Sequence, residues 1–410
     1  MKIATLSIGD ELLCGEVVDT NASHIAAKLY QAGARVQRHL TVGDDEDAIV
    51  AALKELASAC DAVVVSGGLG PTADDLTAAA AAQAAAVELE LSQGALKHLA
   101  SFTARLPGGL HHANQKQALI PQGSALIPNP VGTACGFSFT LDKAALFFLP
   151  GVPSEMERML EETVLPALTK RGEGGAKRIV LKLFGISEAA AGARLEGCLD
   201  QDSPVQLAYC VKFPEIHLIL RSQAQYGEAL QKAAAAVRER LGSLVFAQDD
   251  ETMDTLLSTL LKKSGLSLAL AESCTGGMIA ARITAAPGSS AYFLEGDVTY
   301  SNQAKTRMLQ VPAELIEQKG AVSAEVASAM AVGARRAAGS DLALSVTGIA
   351  GPDGGTPEKP VGTVFLALAD ADGCSVQGYH FLGDRASVRS ITCFTALDWL
   401  RKYLLDRRQA

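Results

Sequence analysis

The sequence predicts an α/β protein: two α/β domains with mainly parallel sheets, joined by a small α+β segment. Three observations predict it. Residues 1–168 alternate apolar runs with helix-periodic stretches, the pattern of a parallel sheet flanked by helices. Residues 251–410 place glycine-rich loops directly after apolar runs. Between them, residues 176–248 read as strand, helix, strand, helix. A chain of 410 residues suits two to four domains.

In the first segment, Ile3–Ile8 predicts a buried strand. Residues 21–32 have helical spacing, with Thr20 or Asn21 as the cap. Residues 34–42 are extended, 45–59 form a helix with acids at its start, and 61–65 form a third strand, again buried. Residues 78–86 are alanine-rich and read as helix. The polar residues gather after the strands. Gly9-Asp10-Glu11 follows the first, and the run from Ser66 through Gly67, Gly68, Leu69, Gly70, Pro71 and Thr72 to Asp74 and Asp75 follows the third. Glycines let a backbone approach a phosphate, and paired carboxylates suit a hard divalent cation. The plain alternative for Asp74 and Asp75 is helix capping. Two further loops, 129–136 and 149–156, come in order.

In the middle segment, 178–184 alternates like a strand, 187–199 is helical, 215–221 is a strand, and 225–241 is an alanine-rich helix. The acidic run 248–252 reads as a hinge.

The last segment carries the most informative run, Ala271-Glu272-Ser273-Cys274-Thr275-Gly276-Gly277. It follows the apolar stretch 266–270 and precedes a helix-spaced stretch, 278–284. A serine, a threonine and two glycines therefore sit where a strand turns into a helix. The first N–H groups of a helix lack partners and its dipole favours negative charge, so such a turn can hold a phosphate or an oxyanion. The plain alternative is a serine cap with glycines for tight packing. Lys305 comes later, in the stretch 297–305, with Pro287-Gly288-Ser289-Ser290 before it. The apolar stretch 342–346 runs into a second glycine-rich loop, 347–355. In open α/β sheets ligands bind beyond the carboxyl ends of strands, so both loops are expected at one crevice.

Composition narrows the class. A net charge of −9 argues against direct nucleic-acid binding, which needs clustered cations. Eight scattered cysteines without a CxxC pair point to reduced thiols and a cytoplasmic protein. Neither a signal peptide nor an apolar run long enough to span a membrane is present, so no membrane association is expected.

The motifs AESCTGG, Gly288-Ser289-Ser290, VTYSNQAK, TGIAGPDGG, KPVGTV and Gly383-Asp384-Arg385, in this order, resemble the C-terminal domain of the CinA family over about residues 250–405. The family's C-terminal domain hydrolyses the carboxamide of nicotinamide mononucleotide to nicotinic acid mononucleotide and ammonia. It is similar to serine amidases that use lysine as the base. The resemblance implies a cofactor-free deamidation. Ser273 is the expected nucleophile, and Lys305 the base, directly or through Ser290, with Tyr300 in support. The N–H groups of Thr275, Gly276 and Gly277 would hold the oxyanion. The loop with Thr347, Gly348 and Gly351 would hold the phosphate and ribose, with Arg385 as phosphate partner. A rival assignment makes Ser290 the nucleophile and Ser273 a cap. The chemistry is coherent: an amide is a poor electrophile, so serine needs a base, and the only histidine of this segment, His380, lies in an apolar strand-like run. Lysine serves as base when burial lowers its pKa.

Residues 1–168 resemble the family's N-terminal, molybdopterin-binding-like domain, implicated in some members in metal-dependent ADP-ribose hydrolysis. Carrying over the polar positions implicates Asp10, Asn21, Gly68, Gly70 and Lys116 in binding. Asp74, Asp75 and Glu155 are the expected ligands of a divalent metal (magnesium, manganese or cobalt). One departure is Cys135, which gives GTACG where the family usually has a proline. Residues 176–248 resemble the KH-like middle domain of longer members. The GXXG loop with which KH domains grip RNA is missing at the expected place, which favours a spacer or dimer surface. Similar members imply a homodimer. Two other readings compete: a competence-associated, non-catalytic interaction protein, and a pterin-binding module.

Overall fold

A computed structural model describes residues 1–103, 112–169, 176–200 and 202–407. The chain divides into two compact units, Met1–Arg178 with Arg221–Glu228, and Ile179–Leu220 with Ala229–Ala410.

The first unit is built on a six-stranded sheet. Its strands are β1 (Ile3–Ile8), β2 (Val36–Val42) and β3 (Ala62–Ser66), then β6 (Ala125–Ile127), β7 (Gly136–Leu141) and β8 (Ala144–Leu149). Two short strands, β4 (Leu89–Leu91) and β5 (Leu119–Pro121), pair separately. The order is β2-β1-β3-β8-β7-β6, with β2, β1, β3 and β8 parallel and β7 antiparallel to both β8 and β6. Every residue of β1 and β3 is buried, which is why both read as unbroken apolar runs rather than alternating ones. One face packs Leu6, Ile8, Val63 and Val65 against Ile49, Leu53 and Leu56 of the helix Glu46–Ala59. The other packs Ile3 and Val64 against Ile25, Leu29, Met156 and Leu160. The helix Thr20–Gln31 is capped by Asp19, whose side chain accepts from Ala22 N, so the cap lies one residue before the expected Thr20. The antiparallel β7–β8 hairpin closes one side of the mainly parallel sheet. Its strands meet through Phe137, Phe139 and Phe148, whose rings stack at 4.5 and 5.4 Å.

In the second unit the middle strands β9 (Ala176–Leu183), β10 (Gln206–Lys212), β11 (Glu215–Gln223) and β12 (Val245–Gln248) are ordered β10-β11-β9-β12. The helix expected over 187–199 stops at Leu195, where Glu196 turns extended and Gly197 takes φ +66°. A second sheet comprises β13 (Leu268–Glu272), β14 (Phe293–Val298), β15 (Leu342–Gly348), β16 (Thr363–Ala369) and β17 (Cys374–His380). Its order is β14-β13-β15-β16-β17, with β14, β13 and β15 parallel and β16 and β17 antiparallel. Phe184 and Phe246 from the middle segment belong to the same core as Phe394 of the last helix, with ring centroids 4.6 and 5.5 Å away. Segment 176–248 keeps a core of its own around Leu181, Leu218 and Val237, while its Phe184, Phe246 and Ala247 join the core of residues 251–404.

Each α/β sheet has one topological switch point. The chain leaves β1 for β2 on one side and returns to β3 on the other; it leaves β13 for β14 and returns to β15. Crevices open at such points, beyond the carboxyl ends of the strands.

Candidate active site

At the second switch point, β13 ends in Glu272 and the chain turns through Ser273-Cys274-Thr275-Gly276 into the helix Met278–Ala285. Gly276 and Gly277 take φ of +60° and +92°, a region that side chains with a Cβ rarely enter, so the tight turn requires glycine there. On the neighbouring strand, Thr299 N donates to Glu272 O at 2.8 Å, tying the exit of β14 to the end of β13. The helix Asn302–Leu309 starts immediately afterwards, capped by the Ser301 side chain. That places Lys305 against Ser273.

Lys305 is only 1% exposed. Its Nζ lies 3.1 Å from Ser273 Oγ and also bonds the carbonyl oxygens of Thr299 at 2.8 Å and Tyr300 at 3.5 Å. Burial pushes its pKa below the ordinary lysine value. Cys274 acts in the opposite direction, and no carboxylate among the described residues contributes to the shift. Cys274, beside the serine, is a different case: burial pushes its thiol up to about 11, so it stays protonated.

Several expected contributions are arranged differently. Tyr300 reaches Lys305 through its main-chain oxygen; the residue is 59% exposed, and its phenol accepts from Arg385 Nη2 at 2.8 Å. Ser290 sits exposed in the short helix Ser289–Ala291, with no hydrogen bond to Ser273 or Lys305. Of the three expected oxyanion donors, Gly276 N is bonded to Ser273 O at 3.0 Å and Gly277 N to Glu272 Oε2 at 3.0 Å. Only Thr275 N is left without a protein oxygen among the described residues; the Thr275 side chain itself is fully buried. Thr347 is a buried strand residue whose hydroxyl donates to Ala321 O at 2.8 Å, so it offers a ligand no side-chain group. Gly348 closes β15, and the following loop is pinned by Gly362 N to Ile349 O at 2.7 Å. Arg385 Nη1 bonds Gly351 O at 2.6 Å, bringing Arg385, Tyr300 and Gly351 together.

Two residues of this site escaped the sequence reading. Glu272, 1% exposed, accepts from the N–H groups of Gly277, Ile279 and Ala280 at 3.0, 3.2 and 2.8 Å. Arg389 donates Nε to Cys274 O at 3.0 Å and Nη2 to Thr275 O at 2.9 Å. A glutamate closing the apolar run just before the glycine turn was the available signal for the first. Nothing local marks Arg389, which lies more than a hundred residues away.

At the first switch point, a crevice of about 410 Å³ is lined by Glu11, Asp44, Gly67–Pro71, Asp74, Asp75 and Glu155. Gly68 and Gly70 allow close approach there, since a Cβ on Gly68 would stand 2.2 Å from Thr77 Oγ1. The expected metal ligands do not form a ligating set. Both Asp75 oxygens are engaged, accepting from Gly70 N, Thr72 N and Thr72 Oγ1 at 2.7, 2.8 and 2.5 Å. Glu155 accepts from Asn129 Nδ2 at 2.6 Å, and burial raises its pKa. Asp74 is in solvent, its pKa lowered first by the Thr72 hydroxyl. Among the described residues no three His, Cys, Asp or Glu side chains are grouped to hold a metal. Asp75 does not cap the following helix either, whose N-cap is Leu76 without a side-chain bond; it ties together the loop that precedes it. Lys116 bonds the carbonyl oxygens of Thr72 and Ala73, bracing the loop, and lines a pocket with Gly68, Gly70 and Asp75. Asp10 exchanges hydrogen bonds with Asp44 at 3.0 and 3.2 Å. Asn21 donates to Ser66 Oγ at 3.0 Å and Gly151 O at 2.7 Å, and its own carbonyl oxygen is buried without a partner.

The class defined by this geometry is a multidomain α/β protein with a serine beside a buried lysine at one switch point and a polar crevice at another. Comparison with known proteins agrees. Residues 250–404 match the CinA C-terminal domain, 4–170 the probable molybdopterin binding domain, and 178–247 the damage-inducible protein CinA KH domain. A CinA-like protein of Citrifermentans bemidjiense is 69% identical over 408 residues, covering 100% of this chain and 99% of that one. Another, of Geobacter sulfurreducens, is 57% identical over 411 residues, covering 99% and 100%. A solved CinA superfamily protein of Klebsiella pneumoniae is 35% identical and covers 38% of this chain and 96% of its own, with a TM-score of 0.37. The chain belongs to the CinA family. Among the described residues no helix is long and apolar enough to cross a membrane.

Proposed function

We propose that the C-terminal site hydrolyses the carboxamide of nicotinamide mononucleotide, releasing ammonia and nicotinic acid mononucleotide. The observation that carries this reading is the buried Lys305 Nζ, 3.1 Å from Ser273 Oγ and without an ionic partner among the described residues. Neutral Lys305 takes the hydroxyl proton as Ser273 Oγ attacks the amide carbon. The tetrahedral oxyanion forms beside the Thr275 N–H, which has no oxygen partner among the described residues. The proton on Lys305 then passes to the leaving nitrogen, ammonia departs, and water, deprotonated by the same amine, hydrolyses the acyl-serine. On this reading Arg385 and the 348–355 loop meet the nucleotide phosphate. The test is ammonia release from nicotinamide mononucleotide in excess chelator, with peptide mapping of a trapped adduct. An adduct on Ser290 instead of Ser273 would reverse the assignment of the nucleophile.

The unpartnered Asn21 oxygen beside a polar switch-point crevice favours a second, binding function in the N-terminal domain. ADP-ribose is the ligand to test there. Hydrolysis in magnesium, manganese or cobalt that Asp74→Ala abolishes would make it a second catalytic site; its absence in all three leaves a binding site. The reading includes a homodimer, which sedimentation equilibrium checks.

A further inference from the structure

We infer that Arg389 is a positioning residue that presents the Thr275 N–H as the oxyanion donor, an inference that rests on the amidase reading above. Arg389 lies on the helix Arg385–Asp406, one turn beyond Arg385. Its bond to Cys274 O, at 3.0 Å, falls on the same peptide unit that carries the Thr275 N–H. In a trans peptide the C=O and N–H point in opposite directions, so pinning this carbonyl turns Thr275 N–H away from the guanidinium. A carbonyl bonded to a cation also polarises its peptide, which strengthens the N–H as a donor. The second bond, Arg389 Nη2 to Thr275 O at 2.9 Å, prevents the next peptide from rotating. Gly276 makes room for this contact: a Cβ there would stand 3.3 Å from Arg389 Nη2.

Glu272 explains why the donor is Thr275 and not the helix start. A helix N-terminus normally offers several N–H groups to an anion. Here a carboxylate of the chain itself occupies three of them, at Gly277, Ile279 and Ala280. Gly276 N is also taken. The Thr275 N–H, which has no protein oxygen partner among the described residues, therefore lies in the segment that Arg389 holds.

The experiment uses the full chain and its Arg389→Ala and Arg389→Lys variants, with folding checked by circular dichroism. In Arg389→Ala, kcat for nicotinamide mononucleotide should fall about a hundred- to a thousand-fold, the cost of one oxyanion donor, with KM changed by less than about threefold. Added guanidinium at a sub-denaturing concentration should restore part of kcat in Arg389→Ala and none in Ser273→Ala. Arg389→Lys, which can keep one of the two bonds, should lie between, and it carries the test if the alanine variant fails to fold. Pyridine-3-boronic acid supplies a readout that a merely structural role would not move. Its boron takes the Ser273 oxygen, the hydroxyl proton passes to Lys305, and the tetrahedral boronate mimics the oxyanion. Boronate affinity should fall in parallel with kcat, while affinity for nicotinic acid mononucleotide stays at the wild-type value. Unchanged kcat in a folded Arg389→Ala, equal loss of boronate and product affinity, or no boronate binding by the wild type would each overturn the inference. If the wild type binds boronate through Arg389 yet releases no ammonia from the nucleotide, the proposed substrate fails and the positioning role stands.

Discussion

Lys305 shows how one residue's surroundings set its chemistry. An exposed lysine is charged at neutral pH and cannot accept a proton; burial, with no contributing carboxylate among the described residues, lowers the pKa of Lys305. On the proposed reading, log kcat/KM should rise with pH with unit slope through that lowered pKa and level off above it. Ser273→Ala and Lys305→Ala should each cost several orders of magnitude, and the double variant should be little worse than either, because the two act as one unit. A flat pH profile from the acid side would separate Lys305 from catalysis. Stability carries the opposite face of the same fact. The unfolded lysine binds its proton up to the ordinary pKa and the folded one only up to a lower value, so stability rises with pH between the two. Lys305→Met should therefore melt higher than the wild type below the lowered pKa, and the advantage should shrink as pH rises through it.

At the scale of elements, the site depends on helices held at fixed distance. Gly333, in the helix Ala324–Ala338, faces the carbonyl end of the helix that carries Lys305: a Cβ there would lie 2.0 Å from Leu309 O. Backbone cannot yield as a side-chain tip does, so Gly333→Ala should cost about 1–3 kcal/mol of stability by overpacking. It should also lower kcat by shifting Lys305, which a melting curve and a turnover assay check on one sample. A contrast is Thr252, which caps the helix Met253–Ser264 in a reciprocal box with Thr255. Thr252→Ala should cost about 1 kcal/mol and leave kcat unchanged, because that helix end is remote from the chemistry.

For the whole molecule, the shared core of the second unit determines what can be removed. Phe184 and Phe246 pack on Phe394, and Arg401 donates to Ser243 O at 2.8 Å. A fragment beginning near residue 251 strips one side from Phe394 and leaves Arg401 short of a partner. It should melt below a fragment beginning near residue 176, measured under the same conditions, while both retain amidase activity in excess chelator. Equal melting temperatures would mean that the middle segment contributes nothing to the core it joins.

Much of this was legible along the chain. The strands β1, β3, β13 and β15 are apolar because both of their faces are covered, so they stand out without a fold in hand. The glycine turns after them follow from local backbone limits, and the order of motifs identified the family. Side-chain destinations were not legible, since a residue's partners lie at any sequence distance. Lys305 in a polar stretch looked solvated, and only the pairing of β14 with β13 buries it against Ser273. Asp75 looked like a metal ligand until the loop folded its own N–H groups onto it. The antiparallel hairpins β7–β8 and β16–β17 were missed because edge pairing is decided by what packs beside a strand. The sequence by itself determined the strand and loop grammar, the serine and the lysine. The tertiary structure alone decided which N–H groups stay free, because that depends on Glu272 and Arg389 reaching the same turn from opposite ends of the domain.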